Sequence, residues 1–244
     1  MDFSGLPEPL VVHSGMKGLR GLMPMRDVPG AVCGALRGVS TIMPAYTFQF
    51  PRTGVFDLVR SKPSTGAICE AFDGERTAKP LNSYKFANCE PDAPQTTAWG
   101  EDSMMGWLLK NDATFVALGV STLKSCSYFH YAEEKLRVPY RYFKTFEGLL
   151  YDDGERIGTC SETLFVGPKN CEYDFKAHAA IRLLEDRGQI KRRPHMEIIK
   201  VRDIVEVAEE VLTDDPYAMC HPTEEGRNRV REYVESGNLH EETA

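Results

Sequence analysis

The run ATFVALGV, Ala113 to Val120, constrains what this chain can fold into more than any other stretch. Apolar and rich in β-branched residues, it predicts a buried strand. The polar segment SCSYFHYAEE, Ser125 to Glu134, stands just behind it. Open α/β sheets gather their ligands beyond the C-terminal ends of strands, where a helix begins. With a helix over Ser127 to Leu136, the residues Ser127, His130 and Glu133 fall three apart on one face, with Glu134 adjacent. A histidine titrates near neutrality, and a carboxylate beside it fixes its tautomer and stabilises its protonated form. That pair can take a proton from a nucleophile. The plain alternative is an ordinary ion pair on a surface helix.

At 244 residues the chain can bury a full core as one large α/β domain or two small ones. Its net charge is −7, from 29 basic against 36 acidic side chains. Without a long basic stripe, nucleic acid is not an expected partner. The acidic excess suits a cationic small substrate, although solubility alone accounts for it. No apolar run reaches membrane-spanning length, and MDFSGLPEPLVV has neither the basic nor the long apolar region of a signal peptide. The seven cysteines are odd in number, scattered and without a CxxC pair, which argues against a disulfide framework or a zinc finger. A cytoplasmic protein with reduced thiols and no metal is the expectation.

Leu10 to Ser14 and Val39 to Met43 read as strands, the first running into the glycine-spaced GMKGLRGLMPM. Pro51 to Asp92 is polar and loop-rich, with one helix expected over Thr65 to Phe72. Asp102 or Ser103 can cap a helix over SMMGWLLKN. Tyr140 to Val166 reads as β-rich, with Asp153–Gly154 at a hairpin turn. Asp174 is the expected cap of an amphipathic helix ending at Gly188, Met196 to Val201 a strand, and Asp203 the cap of a last core helix. Residues 1–221 are expected to form one mixed α/β domain with a β-rich insertion in its second half. Residues 222–244 are expected to be a charged peripheral tail, helical over Thr223 to Glu235.

Five segments, taken in order, resemble the aminoglycoside 3-N-acetyltransferase family. VVHSGMKGL is similar to its strand-end His-Ser-Ser-Leu-Arg-Ser, and STIMPAYTF to its Gly-Thr-Leu-x-Met-Pro-Thr-Phe-Thr. VFDLVRSKPSTGAICEAF resembles a Phe-Asp-Pro segment and a Glu-containing helix, and ERTAKPLNSYKFA resembles Arg-Ser-x-His-Pro-x-x-Ser-x-x-Ala. VALGVSTLKSCSYFHYAEE resembles the block that carries the family's catalytic histidine, Thr-x-x-His-x-Ala-Glu. Departures are specific. Twelve residues precede His13 where the family has a longer lead, Gly15 replaces a serine, and Lys79 replaces the histidine of the fourth motif. The compact chain resembles a biosynthetic member more than a drug-resistance enzyme.

The resemblance implies an acetyl-CoA-dependent N-acetyltransferase acting directly on a primary amine of an aminoglycoside-like or nucleotide-linked amino sugar. His130 is then the general base, with Glu133 orienting it (Glu134 being the other carboxylate in reach), and Ser127 an oxyanion donor or simply an N-cap. His13, Ser14, Gly15, Met16, Lys17, Arg76, Ser83 and Tyr84 fall at coenzyme-type positions, and Asp57, Glu70, Lys79 and Glu134 at substrate-type ones. Backbone N–H groups of the glycine turn would suit a pyrophosphate or pantetheine. Lys191–Arg192–Arg193 reads as an exposed turn or a phosphate patch. His178 and His195 belong to no metal-spaced cluster. A homodimer is a candidate assembly. Two further readings stay open: a homologue that binds CoA without turnover, and a Cys–His acyltransferase or thioesterase using Cys126.

Overall fold

The computed structural model describes residues 1–73, 84–88 and 100–241, the segment 84–88 by its backbone. Its strands are β1 (Leu10–Ser14), β2 (Thr41–Tyr46), β3 (Val55–Asp57), β4 (Tyr84–Asn88), β5 (Thr114–Leu118), β6 (Tyr142–Asp152), β7 (Glu155–Val166), β8 (Lys191–Arg193) and β9 (Met196–Lys200). The helices are α1 (Val28–Ala35), α2 (Phe50–Thr53), α3 (Ala67–Asp73), α4 (Met104–Lys110), α5 (Thr122–Ser125), α6 (Tyr128–Lys135), α7 (His178–Asp186), α8 (Val201–Asp214), α9 (Glu224–Glu235) and α10 (Asn238–Glu241). The expected mixed α/β class is the one observed.

The chain forms two compact units, Met1–Cys126 with Phe146–Glu162 and Ile190–Val201, and Ser127–Thr145 with Thr163–Gln189 and Arg202–Ala244. The first is built on a six-stranded sheet in the order β4-β2-β1-β5-β9-β8. β1 runs parallel to both β2 and β5, and antiparallel strands close both sides of this parallel centre. Every residue of β5 is buried, as its unbroken apolar run requires of a strand covered on both faces. Leu10 and Val12 of β1 enter a core with Val28 and Val32 of α1, Ile68 of α3, and Val116 and Leu118 of β5.

A second sheet has the order β3-β6-β7 and carries the predicted β-rich stretch. Its hairpin turns at Asp153 and Gly154, with φ of 49° and 91°. Positive φ at both positions is what a two-residue turn of the primed type demands, and Asp-Gly adopts it at little cost. Lys191 to Arg193 is not a turn but an exposed edge strand, whose three cations discourage pairing with another chain.

The second unit is helical. On α8, Ile204, Val205, Val207, Ala208 and Leu212 are buried, one apolar stripe at helical spacing. Two expected caps are corrected. α7 begins at His178 with Ala177 as its cap, too far along the chain for Asp174 to serve, and Asp203 lies inside the first turn of α8. Asp174 instead pairs with Lys176. Ser103 and Thr223 do cap α4 and α9, accepting hydrogen bonds from backbone N–H groups of the first turn.

Candidate active site

α6 is short, and what it holds is decided by residues at both of its ends. Ser127 is its N-cap, in helical backbone conformation, and its side chain makes no capping hydrogen bond. Three residues on, His130 Nδ1 lies 2.6 Å from Glu133 Oε2. The histidine side chain is 31% exposed and the glutamate fully buried. Between the two carboxylates that sequence leaves open, the geometry pairs His130 with Glu133; the acidity of Glu134 is weakened by burial, partly offset by Arg137 and Arg141.

Two residues that sequence reasoning misses complete the cluster. Past the helix, Arg137 adopts φ 53° and Val138 N–H donates to Glu133 O, so the chain folds back under α6. Tyr140 Oη then donates to Glu133 Oε1 at 2.5 Å, and Arg141 Nη1 donates to Glu133 Oε2. Arg141 Nη1 is also 2.7 Å from His130 Nδ1. Both nitrogens converge on one carboxylate oxygen, so the consistent tautomer has Nδ1–H directed at Glu133 and the lone pair on Nε2. Among the described residues Nε2 has no hydrogen-bond partner. Phe175 covers the ring, its centroid 4.3 Å away.

The electrostatics follow from burial first. Desolvation holds the His130 pKa below the ordinary histidine value, the Arg141 cation pushes the same way, and Glu133 opposes them. For Glu133 burial alone would raise the pKa, but Arg141 and His130 outweigh it and keep the carboxyl ionised. Burial and the Glu133 charge push the Tyr140 hydroxyl well above its usual range, so it stays a donor. The result is a neutral, oriented imidazole beside a fixed carboxylate.

The β1 turn belongs to the first unit. His13 is 5% exposed and directs Nδ1 at the carbonyl of Ser125. Gly15 N–H donates to Leu118 O at 2.8 Å and Gly18 N–H to Gly119 O at 3.2 Å. These two N–H groups are therefore engaged by the protein, which corrects the expectation that the glycines present them to a phosphate. The glycines are needed for close packing instead: a Cβ on Gly18 would stand 2.3 Å from Gly119 O. Ser14 and Met16 are half-buried at this turn, and Lys17 is its exposed cation.

Two substrate-type expectations are altered by local bonding. Asp57 Oδ1 accepts from Val59 N–H and Arg60 N–H, and Oδ2 from Gly154 N–H. Burial raises its pKa, but these donors prevail and lower it, so Asp57 is a loop-fixing carboxylate that already accepts three backbone N–H bonds. Glu70 sits on α3, 2.7 Å from Lys62 Nζ in an exposed ion pair. Arg76, Lys79 and Ser83 lie outside the described residues, and Tyr84 opens β4 opposite Tyr46. Cys126 is 5% exposed. Among the described residues no group of three or more His, Cys, Asp or Glu side chains could hold a metal, and no helix is long and apolar enough to cross a membrane.

The sequence model of the aminoglycoside 3-N-acetyltransferase family matches residues 85–213, over half of the chain and including the whole His130 cluster. The chain belongs to this family. Among solved structures, the acetyltransferase is similar to aminoglycoside acetyltransferase AAC(3)-IVa in complex with a gentamicin. They share 24% identity over 91% of this chain and 89% of that one, at a TM-score of 0.68. It is also similar to AAC-IIIb with CoASH, at 16% identity, 88% and 91% coverage and a TM-score of 0.59. The YokD protein of Bacillus subtilis shares 16% identity over 84% of this acetyltransferase and 87% of its own chain, with a TM-score of 0.62. At these identities the likeness is one of fold. Among curated protein sequences none matches.

Proposed function

We propose that this acetyltransferase passes the acetyl group of acetyl-CoA directly to a primary amine of a small aminoglycoside-like or nucleotide-linked amino sugar, with His130 as general base. The observation that carries this reading is the His130–Glu133 contact of 2.6 Å, which occupies Nδ1 and directs the lone pair of the ring to Nε2. The ammonium gives up one proton to solvent. His130 Nε2 then takes the second as the amine nitrogen bonds to the acetyl carbon and the carbon–sulfur bond breaks, and passes it to the departing thiolate, leaving a neutral amide. Ser127 Oγ makes no hydrogen bond among the described residues and is available to donate to the thioester oxygen.

Lys17 is the exposed cation at the β1 turn suited to a coenzyme phosphate, with Ser14 and Met16 beside it. His13, Gly15 and Gly18 shape that turn in our reading and do not contact the coenzyme through the groups already engaged. The resemblance adds Arg76, Ser83 and Tyr84 on the coenzyme side and Lys79 toward an anionic group. With Asp57 holding three backbone N–H groups of its own loops and Glu70 paired to Lys62, Glu134 is the carboxylate best suited to an acceptor ammonium.

The test is thiol release from acetyl-CoA across a panel of aminoglycosides and nucleotide-linked amino sugars, with wild type and His130→Ala. Turnover should fall about 10²- to 10⁴-fold in the variant with CoA affinity nearly unchanged. Near-normal turnover in folded His130→Ala would remove the histidine from the mechanism.

A further inference from the structure

Glu133 is a heavily bonded carboxylate of the second unit. It is fully buried, and it takes one donor on Oε1 and two on Oε2. Arg141 is itself only 10% exposed, and among the described residues its buried Nε has no hydrogen-bond partner. A buried guanidinium with an N–H unpaired among the described residues is weak evidence of a net stabilising role, because its desolvation cancels much of the attraction it gains. Its Nη1 meets the site, within reach of both Glu133 Oε2 and His130 Nδ1. The Phe165 ring lies 5.8 Å from the guanidinium carbon.

We propose that Arg141, assisted by Tyr140, is a positioning residue of the transfer reaction: together they clamp the Glu133 carboxylate so that His130 is held in the tautomer that carries its lone pair on Nε2. This deepens the reading of His130 as general base and rests on it. Without the guanidinium, Glu133 would be a buried anion with the imidazole as its only cationic counterpart among the described residues, and the imidazole would take up a proton to answer it. A base already protonated cannot accept the proton of an amine. The cation of Arg141 answers the carboxylate instead, and the imidazole remains neutral. Other charged or titratable groups facing the cluster are Glu134 on α6, Tyr173 from the segment after β7, and Cys220 after α8. Tyr173 and Cys220 are both pushed upward by burial, so neither changes charge near neutral pH.

The experiment follows His130 by NMR titration of its labelled ring and, separately, by the pH profile of kcat/KM, in wild type, Arg141→Gln and Tyr140→Phe. Arg141→Gln should raise the pH at which His130 titrates by about one unit, and the acid limb of kcat/KM should move with it. Activity lost near about pH 6 should return toward wild type by about pH 9. A folded Arg141→Gln that loses activity equally at every pH, with His130 titrating as in wild type, would overturn the proposal. Should Arg141→Gln fail to fold, Tyr140→Phe decides: removing one donor from Glu133 should raise the His130 titration by about half a unit, and no change overturns it. The NMR readout does not depend on catalysis. If His130→Ala stays active while the His130 titration still answers to Arg141, the base assignment fails and the clamp stands.

Discussion

His13 and Ser125 are tied across 112 residues of sequence by a short hydrogen bond from the imidazole Nδ1–H to the carbonyl oxygen. The ring also lies 5.0 Å from that of Phe115, and among the described residues its buried Nε2 has no hydrogen-bond partner. The bond joins the end of β1 to the end of α5, one residue before Cys126 and two before the cap of α6. A residue that sequence places among coenzyme contacts thus serves first to fix where its strand ends.

That burial makes His13 a pH-dependent element of stability. Desolvation lowers its pKa to about 4, with the Ser125 carbonyl opposing the shift. The unfolded chain then binds more protons than the folded one between the ordinary histidine value of about 6.5 and about 4. The contribution is complete above about 6.5 and is lost as pH falls through that window, about 3 kcal/mol in all. Urea melts of wild type and His13→Gln across this range check it. The variant should be less stable at neutral pH and show a flatter dependence below it, and parallel slopes would count against the assignment.

Gly18 and Gly119 approach so closely that neither tolerates a Cβ. On Gly119 the added atom would meet Gly15 O at 2.3 Å, and that residue already has φ 64°. Gly18→Ala must push the Met16–Leu19 turn off the end of β5, costing about 2 kcal/mol and lowering Tm by about 5 °C. If the turn serves the coenzyme, CoA affinity should fall more than the acceptor KM rises. Calorimetric titration with CoA beside a thermal melt separates the two effects.

Sequence patterns are most legible where one periodicity decides the outcome. Leu10–Ser14 is the strand expected to the residue, because an apolar run ending in polar residues has one way to sit in a sheet. The spacing of His130 and Glu133 implies their contact for the same reason: three residues on a helix is a turn, whatever surrounds it. Arg141 is not legible, since its approach depends on the left-handed Arg137 that folds the chain back under α6. Nor does composition show that Asp57 accepts three backbone N–H bonds from two separate loops. Side-chain type suggests chemistry, but satisfaction of the group is a property of the fold.

Cys126 stands four residues before His130, and a covalent route through it is the natural competitor of direct transfer. Its burial keeps the thiol from an incoming thioester. Cys126→Ala should therefore retain most activity. Intact mass spectrometry of wild type incubated with acetyl-CoA and no acceptor should show no stable acetyl adduct. An adduct mapped to Cys126 and lost in the variant would establish the covalent route instead.

The substitution of lysine for the family histidine at position 79 bears on which amine is served. Clefts that accept polycationic drugs gain from carboxylates and lose from each added cation. A lysine is a permanent cation at neutral pH, whereas a histidine is largely neutral there. Lys79 would repel an aminoglycoside and attract a phosphate, whether of CoA or of a nucleotide-linked acceptor. We expect poor acetylation of kanamycin- and gentamicin-class drugs and better turnover of an amine on an anionic scaffold. Lys79→His should narrow that gap, raising kcat/KM for the drugs and lowering it for nucleotide-linked amino sugars, each by about tenfold, the equivalent of one lost or gained charge contact. Parallel changes with both acceptors, together with weaker CoA binding, would assign Lys79 to the coenzyme. Efficient drug acetylation by the wild-type protein, unaffected by the substitution, would remove it from specificity altogether.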